Sequence, residues 1–349
     1  MPANEFGNSV RYLEVLNQLD VIHETYTSET SRSAFGSKGS CTFALWCNNP
    51  YVQAGSFDTH SAADLNRFLN LCTDYDVNTV VLFIDSAGVS LKDPKNGMEG
   101  VAQSIKMIHH INVQPDRKTV SIIGDTRGCF GGALLIASAC QYQIADANAR
   151  IGVSGPQVIE SITQVSRHAY ADVYSAQYRL NNSEISHILT DQNLLRLVSE
   201  LPPLQLNTSF LQALINSLPC GQESEVDPIG FDQQVIDLAA LKETAASFLN
   251  TPKASACLKG NAEQPFAFEN EAKGFSRYLK ALAATMRYRV ESGMQIEINV
   301  TTRGSGATFI AFSMMGSTLE IAPDATVTAL PQAAIDRILA NTPSGAKPL

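Results

Sequence analysis

The sequence predicts an α/β chain built from two related modules, each a set of parallel βα units. Three observations carry that prediction. The order strand, helix, strand, Gly-rich turn, helix runs through residues 80–139, the same order returns in the C-terminal third, and short motifs recur between the two stretches at a nearly constant shift of 174–176 residues. Composition permits this plan. The 349 residues are 44% hydrophobic and 17% charged, enough to bury a core, and at roughly 100–200 residues per domain they suggest two domains or one large one.

The elements follow in order. Residues 28–40 (SETSRSAFGSKGS) read as a Ser/Gly-rich loop. The β-branched and aromatic run at 80–84 reads as a buried strand ending in the turn Asp85-Ser86-Ala87-Gly88. Residues 97–111 place Val101, Ile105, Ile108 and Ile111 at helical spacing. A second strand at 119–124 runs into Asp125-Thr126-Arg127-Gly128-Cys129-Phe130-Gly131-Gly132 and then the small, apolar helix candidate ALLIASA. This is the signature of parallel βα units. Residues 178–250 read as helical segments joined by loops, interrupted by Pro202-Pro203 and by 217–230. Beyond them, Phe275, Tyr278, Leu279, Leu282 and Met286 share a helical face, a strand follows at 296–300, and Thr301-Thr302-Arg303-Gly304-Ser305-Gly306-Ala307 leads into the helix candidate TFIAFSMM.

The repeat organises these elements. Thr126-Arg127-Gly128 recurs as Thr302-Arg303-Gly304, Gly132-Ala133 as Gly306-Ala307, Ala149-Arg150-Ile151 as Ala325-Thr326-Val327, and Pro156-Gln157 as Pro331-Gln332. Four matches in one order imply two homologous modules, with the boundary near 200–225. We take 1–200 and 201–349 as the domains.

Charge and cysteines narrow the function classes. With 25 basic against 34 acidic side chains, a net charge of −9 and no basic run, no nucleic-acid partner is expected. Seven cysteines at 41, 47, 72, 129, 140, 220 and 257 lack paired metal spacing, and read as reduced thiols of a cytoplasmic protein. The start has no signal-peptide profile, and no apolar stretch approaches the roughly 20 residues of a membrane span, so no membrane partner is expected.

A strand feeding a Gly-rich turn at a helix start presents unpaired N–H groups at the positive end of the helix dipole. Such a turn holds phosphate or stabilises a transient oxyanion; its plainer role is to let a helix pack closely on a sheet. Two such turns in one chain favour the functional role, because paired oxyanion sites suit thioester chemistry.

These residues resemble a family. VVLFIDSAGVSL, the helix after it and IIGDTRGCFGGALLIASACQYQIADANARIGVSGPQVIES are similar to the β subunit of biotin-independent malonate decarboxylase. More distantly they resemble the carboxyltransferase half of biotin-dependent acyl-CoA carboxylases, within the crotonase-like superfamily. DPIGFDQQVIDLA, GNAEQPFAFENEAKGFSRYLKALA and TTRGSGATFIAFSMMGSTLEIAPDATVTALPQAAIDRI follow the order of the γ subunit. The resemblance covers 75–165 well and 225–340 more loosely. Gln157 stands where the β-subunit pattern has an acid, and 258–264 differ from the γ subunit's apolar strand and turn.

The resemblance implies two homologous crotonase-like (ClpP/crotonase) ββα-type domains with the active site between them, and decarboxylation of a malonyl thioester through an enolate. Gly131 and Gly132 would hold the enolate oxygen through backbone N–H groups, Gly306 and Ala307 would face the departing carboxylate, and Glu160 would position a proton. Ser86, Ala87, Gly88, Arg127, Gly128, Cys129, Phe130, Ser154, Gly155, Pro156, Gly304 and Ser305 would line the substrate site. The substrate would be carried on an acyl-carrier protein or coenzyme A, with no covalently bound cofactor. A homo-oligomer or a complex with other decarboxylase subunits is implied. A carboxyltransferase is the alternative activity, a non-catalytic scaffold for an acyl carrier the alternative class, and a hydratase or isomerase the third reading.

Individual residues have plainer readings as well. Glu160 reads more readily as a turn-capping acid facing solvent. Arg127 and Arg303 suit bidentate pairing with a carboxylate or simple surface solvation. Cys129 beside the turn reads as packing rather than as a nucleophile, with no histidine at motif spacing. His109 and His110 point to different helix faces and cannot chelate together, so no metal site is expected. Residues 36–40 lack the order of a phosphate loop, and 152–156 lack that of a nucleophile elbow.

Overall fold

The computed structural model describes residues 9–190, 193–219, 237–252, 254–262, 268–330 and 334–335. Pro331-Gln332, Cys220, most of DPIGFDQQVIDLA and part of GNAEQPF lie outside the described residues. The first module is a seven-stranded sheet in the order β1-β2-β3-β4-β5-β7-β9, formed by β1 (Val21–Thr27), β2 (Ser31–Lys38), β3 (Cys41–Asn48), β4 (Thr79–Ile84), β5 (Lys118–Ile123), β7 (Tyr142–Ala145) and β9 (His187–Ile188). From β3 onward every pairing is parallel. All six residues of β4 and of β5 are buried, as expected for a sheet covered on both faces. Two short strands, β6 (Cys129–Phe130) and β8 (Ile151–Gly152), pair separately. The second module is smaller: β10 (Ser255–Ala262), β11 (Gln295–Ser305), β12 (Thr318–Ile321) and β13 (Thr326–Thr328) form a parallel four-stranded sheet.

Two readings are corrected. The expected loop at 28–40 is strand β2, paired with β1 on one side and β3 on the other. Its small residues admit neighbours closely rather than marking flexibility: a Cβ on Gly36 would lie 2.5 Å from the Val21 carbonyl oxygen. The helix candidate TFIAFSMM is only partly α-helical. Gly306–Thr308 opens it and Phe309–Ser313 continues as a π-helical turn, leaving the Thr308 and Ser313 hydroxyls buried without partners.

The repeat is visible in three dimensions. Cys129 and Phe130 pair with Ile151 and Gly152, and Gly304 and Ser305 pair with Val327 and Thr328. Each ladder leads directly into a helix-starting glycine in the left-handed region, Gly131 (φ +53) in one module and Gly306 (φ +62) in the other. The equivalent pairs are therefore Gly131-Gly132 and Gly306-Ala307, one residue away from the Gly132-Ala133 match that the sequence suggests.

The modules share one core. The helices Pro94–Asn112 and Gly131–Ala139 of the first meet Phe275–Glu291 of the second, and Ile105, Leu134, Leu279 and Ile310 belong to the same buried cluster. A buried ionic joint reinforces this contact. Arg179, wholly buried, donates to both oxygens of Glu184 at 2.8 Å and to Glu271 at 3.0 Å. Glu271 in turn accepts the Val153 and Ser154 backbone N–H groups at 3.1 and 2.6 Å. Burial pushes the Glu271 carboxyl above its ordinary value, opposed first by Arg179.

Two predictions follow from this packing. Glu271→Ala leaves buried charge uncompensated and is expected to lower stability by about 3–5 kcal/mol in urea unfolding. His109, 3% exposed with both ring nitrogens unpartnered, has its pKa pushed down to about 3, by burial and then by Arg287 and Lys280. Between that value and the ordinary 6.5, the unfolded chain binds a proton that the folded chain refuses. This group's contribution therefore favours the fold above pH 6.5 and falls with acidification, by about 1.4 kcal/mol per pH unit within the window. His109→Phe should flatten the measured stability profile there.

Candidate active site

The backbone around the first Gly-rich turn is set by a buried carboxylate. Asp85, at the end of β4, is fully buried and accepts the backbone N–H groups of Thr126, Arg127 and Gly128. Burial pushes its carboxyl above the ordinary value, and these donors pull it back. Asn48 braces the same corner. Its side-chain oxygen accepts the Asp85 N–H at 2.9 Å, and its amide donates to the Asp85 carbonyl at 2.8 Å. Ser86 is also fully buried, and its hydroxyl accepts the Gly88 N–H at 3.1 Å. Gly128 (φ +83) must be glycine, since a Cβ would sit 2.1 Å from the Arg150 carbonyl oxygen.

The turns from both modules line one cavity of about 700 Å³. Gly131 and Gly132 meet Gly306 and Ala307 across it, and Ala87, Gly88, Arg127, Phe130, Ser154, Gly155 and Pro156 complete the expected residues that reach it. The remaining expected residues are placed elsewhere. Ser86, Gly128, Cys129, Gly304 and Ser305 do not line it. Ser86 and Gly128 shape the loop, and Cys129 is buried in β6, its thiol pushed well above the ordinary value by desolvation. Gly304 leaves room for the Phe309 ring, which a Cβ would approach to 2.3 Å, and Ser305 is buried at the helix start. Glu160 lies outside the cavity too. It accepts the Arg167 N–H at 3.2 Å and sits 3.8 Å from that guanidinium, so it fastens the segment after its helix instead of reaching the turn.

The two N–H groups expected at the first turn are not equivalent. Gly131 donates to the Val153 carbonyl at 3.1 Å and is spent on holding the turn to β8's continuation. The next N–H, that of Gly132, has no acceptor within the helix by helix geometry, and Gly132 lines the cavity.

Sequence reasoning missed most of the cationic wall. Arg150, Arg167 and His168 line the cavity beside Arg127. Arg150 precedes β8, whereas Arg167 and His168 open the 3₁₀ segment Arg167–Tyr174, with no spacing to reveal their convergence; only the Arg150 of the repeated Ala149-Arg150-Ile151 carried a signal. Among the described lining residues there is no Asp, Glu, Cys or Tyr. The site is thus electrophilic, built from main-chain dipoles and fixed positive charge, without a carboxylate for acid–base work. Among the described residues no cluster of three or more His, Cys, Asp or Glu could hold a metal ion, and no helix is long and apolar enough to cross a membrane.

Comparison with known proteins places this geometry in context. No family model matches the chain. Over 133 residues, 38% of this chain, it is 29% identical to the malonyl-S-ACP:biotin-protein carboxyltransferase of Malonomonas rubra. That match spans 41% of the relative's length, so the chain covers well under half of it. A chain of the Pseudomonas malonate decarboxylase hetero-tetramer, solved in complex with malonate, superposes with a TM-score of 0.51 at 18% identity, covering 61% of this chain and 91% of that one. A transcarboxylase 12S structure aligns at 14% identity and TM-score 0.47, covering 96% of this chain and 80% of that one. The fold is therefore the crotonase-like α/β fold shared with the malonate decarboxylase chain.

The Asp85 brace generates a direct test. Asp85→Asn turns an acceptor into an amide that faces three N–H donors, and is expected to cost about 1–3 kcal/mol. Amide exchange should accelerate first at residues 126–128, ahead of global unfolding.

Proposed function

We propose that the chain acts on malonyl thioesters, on an acyl-carrier protein or coenzyme A, and releases CO2 from them. The observation that carries this reading is the convergence of the two helix-starting turns on one cavity walled by fixed cations. The likeness to malonate decarboxylase and to a malonyl-S-ACP carboxyltransferase supports the substrate class.

In the step we envisage, the bond between the malonyl carboxylate carbon and the α carbon breaks, and its electron pair moves into the thioester. CO2 leaves, and the enolate's charge settles on the thioester oxygen. The Gly132 N–H, at the positive end of the helix Gly131–Ala139, receives that oxygen. The segment opening at Gly306 faces the departing carboxylate, and the arginines hold the malonyl and carrier anions in place. The α carbon then takes a proton from water, giving an acetyl thioester. A hydratase or isomerase would need an acid or base at the turn, and Glu160 does not reach it.

Carboxyl transfer is the second reading, favoured by the likeness to the Malonomonas rubra carboxyltransferase. It shares the enolate step and differs in the fate of the carboxyl group. The complex with other decarboxylase subunits, or a homo-oligomer, belongs to the same proposal.

Incubating the chain with malonyl-CoA and malonyl-acyl-carrier protein, with and without a biotinyl acceptor, should yield acetyl thioester and either free or acceptor-bound carboxyl label. Absence of turnover with every carrier, alongside carrier binding, would favour a scaffold instead. Gly132→Pro removes the donor in the first helical turn, where that N–H has no intrahelical acceptor to lose, and should lower kcat by about 10²-fold. Gly132→Ala keeps the N–H but places a Cβ 2.8 Å from Val89 Cγ2, so its loss should be clearly smaller. Equal losses would remove Gly132 from the mechanism.

A further inference from the structure

A second cavity, of about 230 Å³, lies where the helix Pro94–Asn112 of the first module meets the π-helical turn Phe309–Ser313 and strands β12 and β13 of the second. We infer that it is a binding site for a small aliphatic monocarboxylate, separate from the thioester cavity and independent of the function proposed for that cavity.

Three observations point to this ligand class. First, Ser313 is wholly buried, lines the cavity, and its hydroxyl has no hydrogen-bond partner. A buried hydroxyl left unpaired is costly, and a rotation of the Ser313 side chain towards the cavity would let a ligand oxygen satisfy it. Second, Lys95 and Lys106 line the cavity and make no ion pair among the described residues. Burial lowers the Lys106 pKa, with the Arg287 charge adding to the effect, so an anion beside it would be doubly favourable. Glu99 is the one carboxylate on the wall. Two ammonium groups against it leave a single net positive charge, which suits a monoanion better than a phosphate dianion.

Third, the remaining wall sets the apolar Ala102, Phe309, Met314, Leu319 and Val327 beside the polar Gln103, Ser317 and Thr318. At about 30 Å³ per water the cavity holds roughly eight waters, the bulk of a carboxylate with a chain of about four to six carbons. The two cavities lie on either side of the same segment. Ile310 lines the thioester cavity, whereas Phe309 and Ser313 line the second, so an occupant would bear on the turn that begins at Gly306.

Calorimetric titration of n-hexanoate into the full chain tests this, with hexanamide as the uncharged control. Hexanoate should bind one to one and hexanamide at least tenfold more weakly. Lys106→Met keeps the hydrophobic stem and should weaken hexanoate about tenfold, the loss of one charge-assisted hydrogen bond. Lys95→Met, at an exposed position that cannot unsettle the core, should weaken it in the same direction. Arg150→Ala, in the other cavity, should leave it unchanged. Absence of binding, equal binding of hexanamide, indifference to both lysine variants, or loss in Arg150→Ala would each overturn the assignment.

Discussion

The structure depends on a buried ion cluster at the joint between its two modules. Arg179 faces Glu184 and Glu271 in a setting with almost no solvent, where an unmatched charge is far more expensive than a matched one is rewarding. Glu271 comes from the second module, yet its oxygens terminate on the backbone of residues 153 and 154 in the first. The cluster thereby fixes more than the relative placement of two sheets. It fixes the turn that supplies one wall of the cavity and, through Val153, the carbonyl on which Gly131 rests.

The same device operates at the other side of that turn. Asp85 gathers three successive N–H groups that no strand could satisfy, and Asn48 ties its backbone to the neighbouring strand. In both places a buried carboxylate replaces the missing ladder of a loop. Residues 126–128 and 153–154 are thereby held by side-chain acceptors where a sheet would supply main-chain ones.

How much of this could be seen in the sequence varied with the range of the interaction. The central strands, the helix at 97–111 and the helix with Phe275, Tyr278, Leu279, Leu282 and Met286 on its inner face were legible, because hydrophobic periodicity is local. The two turns were legible because the motif occurs twice. Strand β2 was not, since its serines and glycine carry loop chemistry while its neighbours on both sides decide the outcome. The π-helical turn after Gly306 was hidden for a similar reason: apolar spacing does not distinguish it from an α-helix. At the site, the glycines announced themselves, whereas Arg150 and the Arg167-His168 pair meet only through tertiary folding. Glu160 shows the converse, a chemically plausible residue that the fold sets beside Arg167.

The glycines at the two turns also bear on how such a chain can change over generations. In the mechanism proposed here the chemical groups are main-chain amides, and replacing a side chain does not delete them. What cannot vary is space: no Cβ fits at Gly128 against the Arg150 carbonyl, or at Gly304 against the Phe309 ring. A lineage could rewrite most of the cavity's surroundings and still inherit its donors, provided these few empty positions stayed empty. The heritable unit of such a site is a shape of the backbone, spelled by absences rather than by reactive letters.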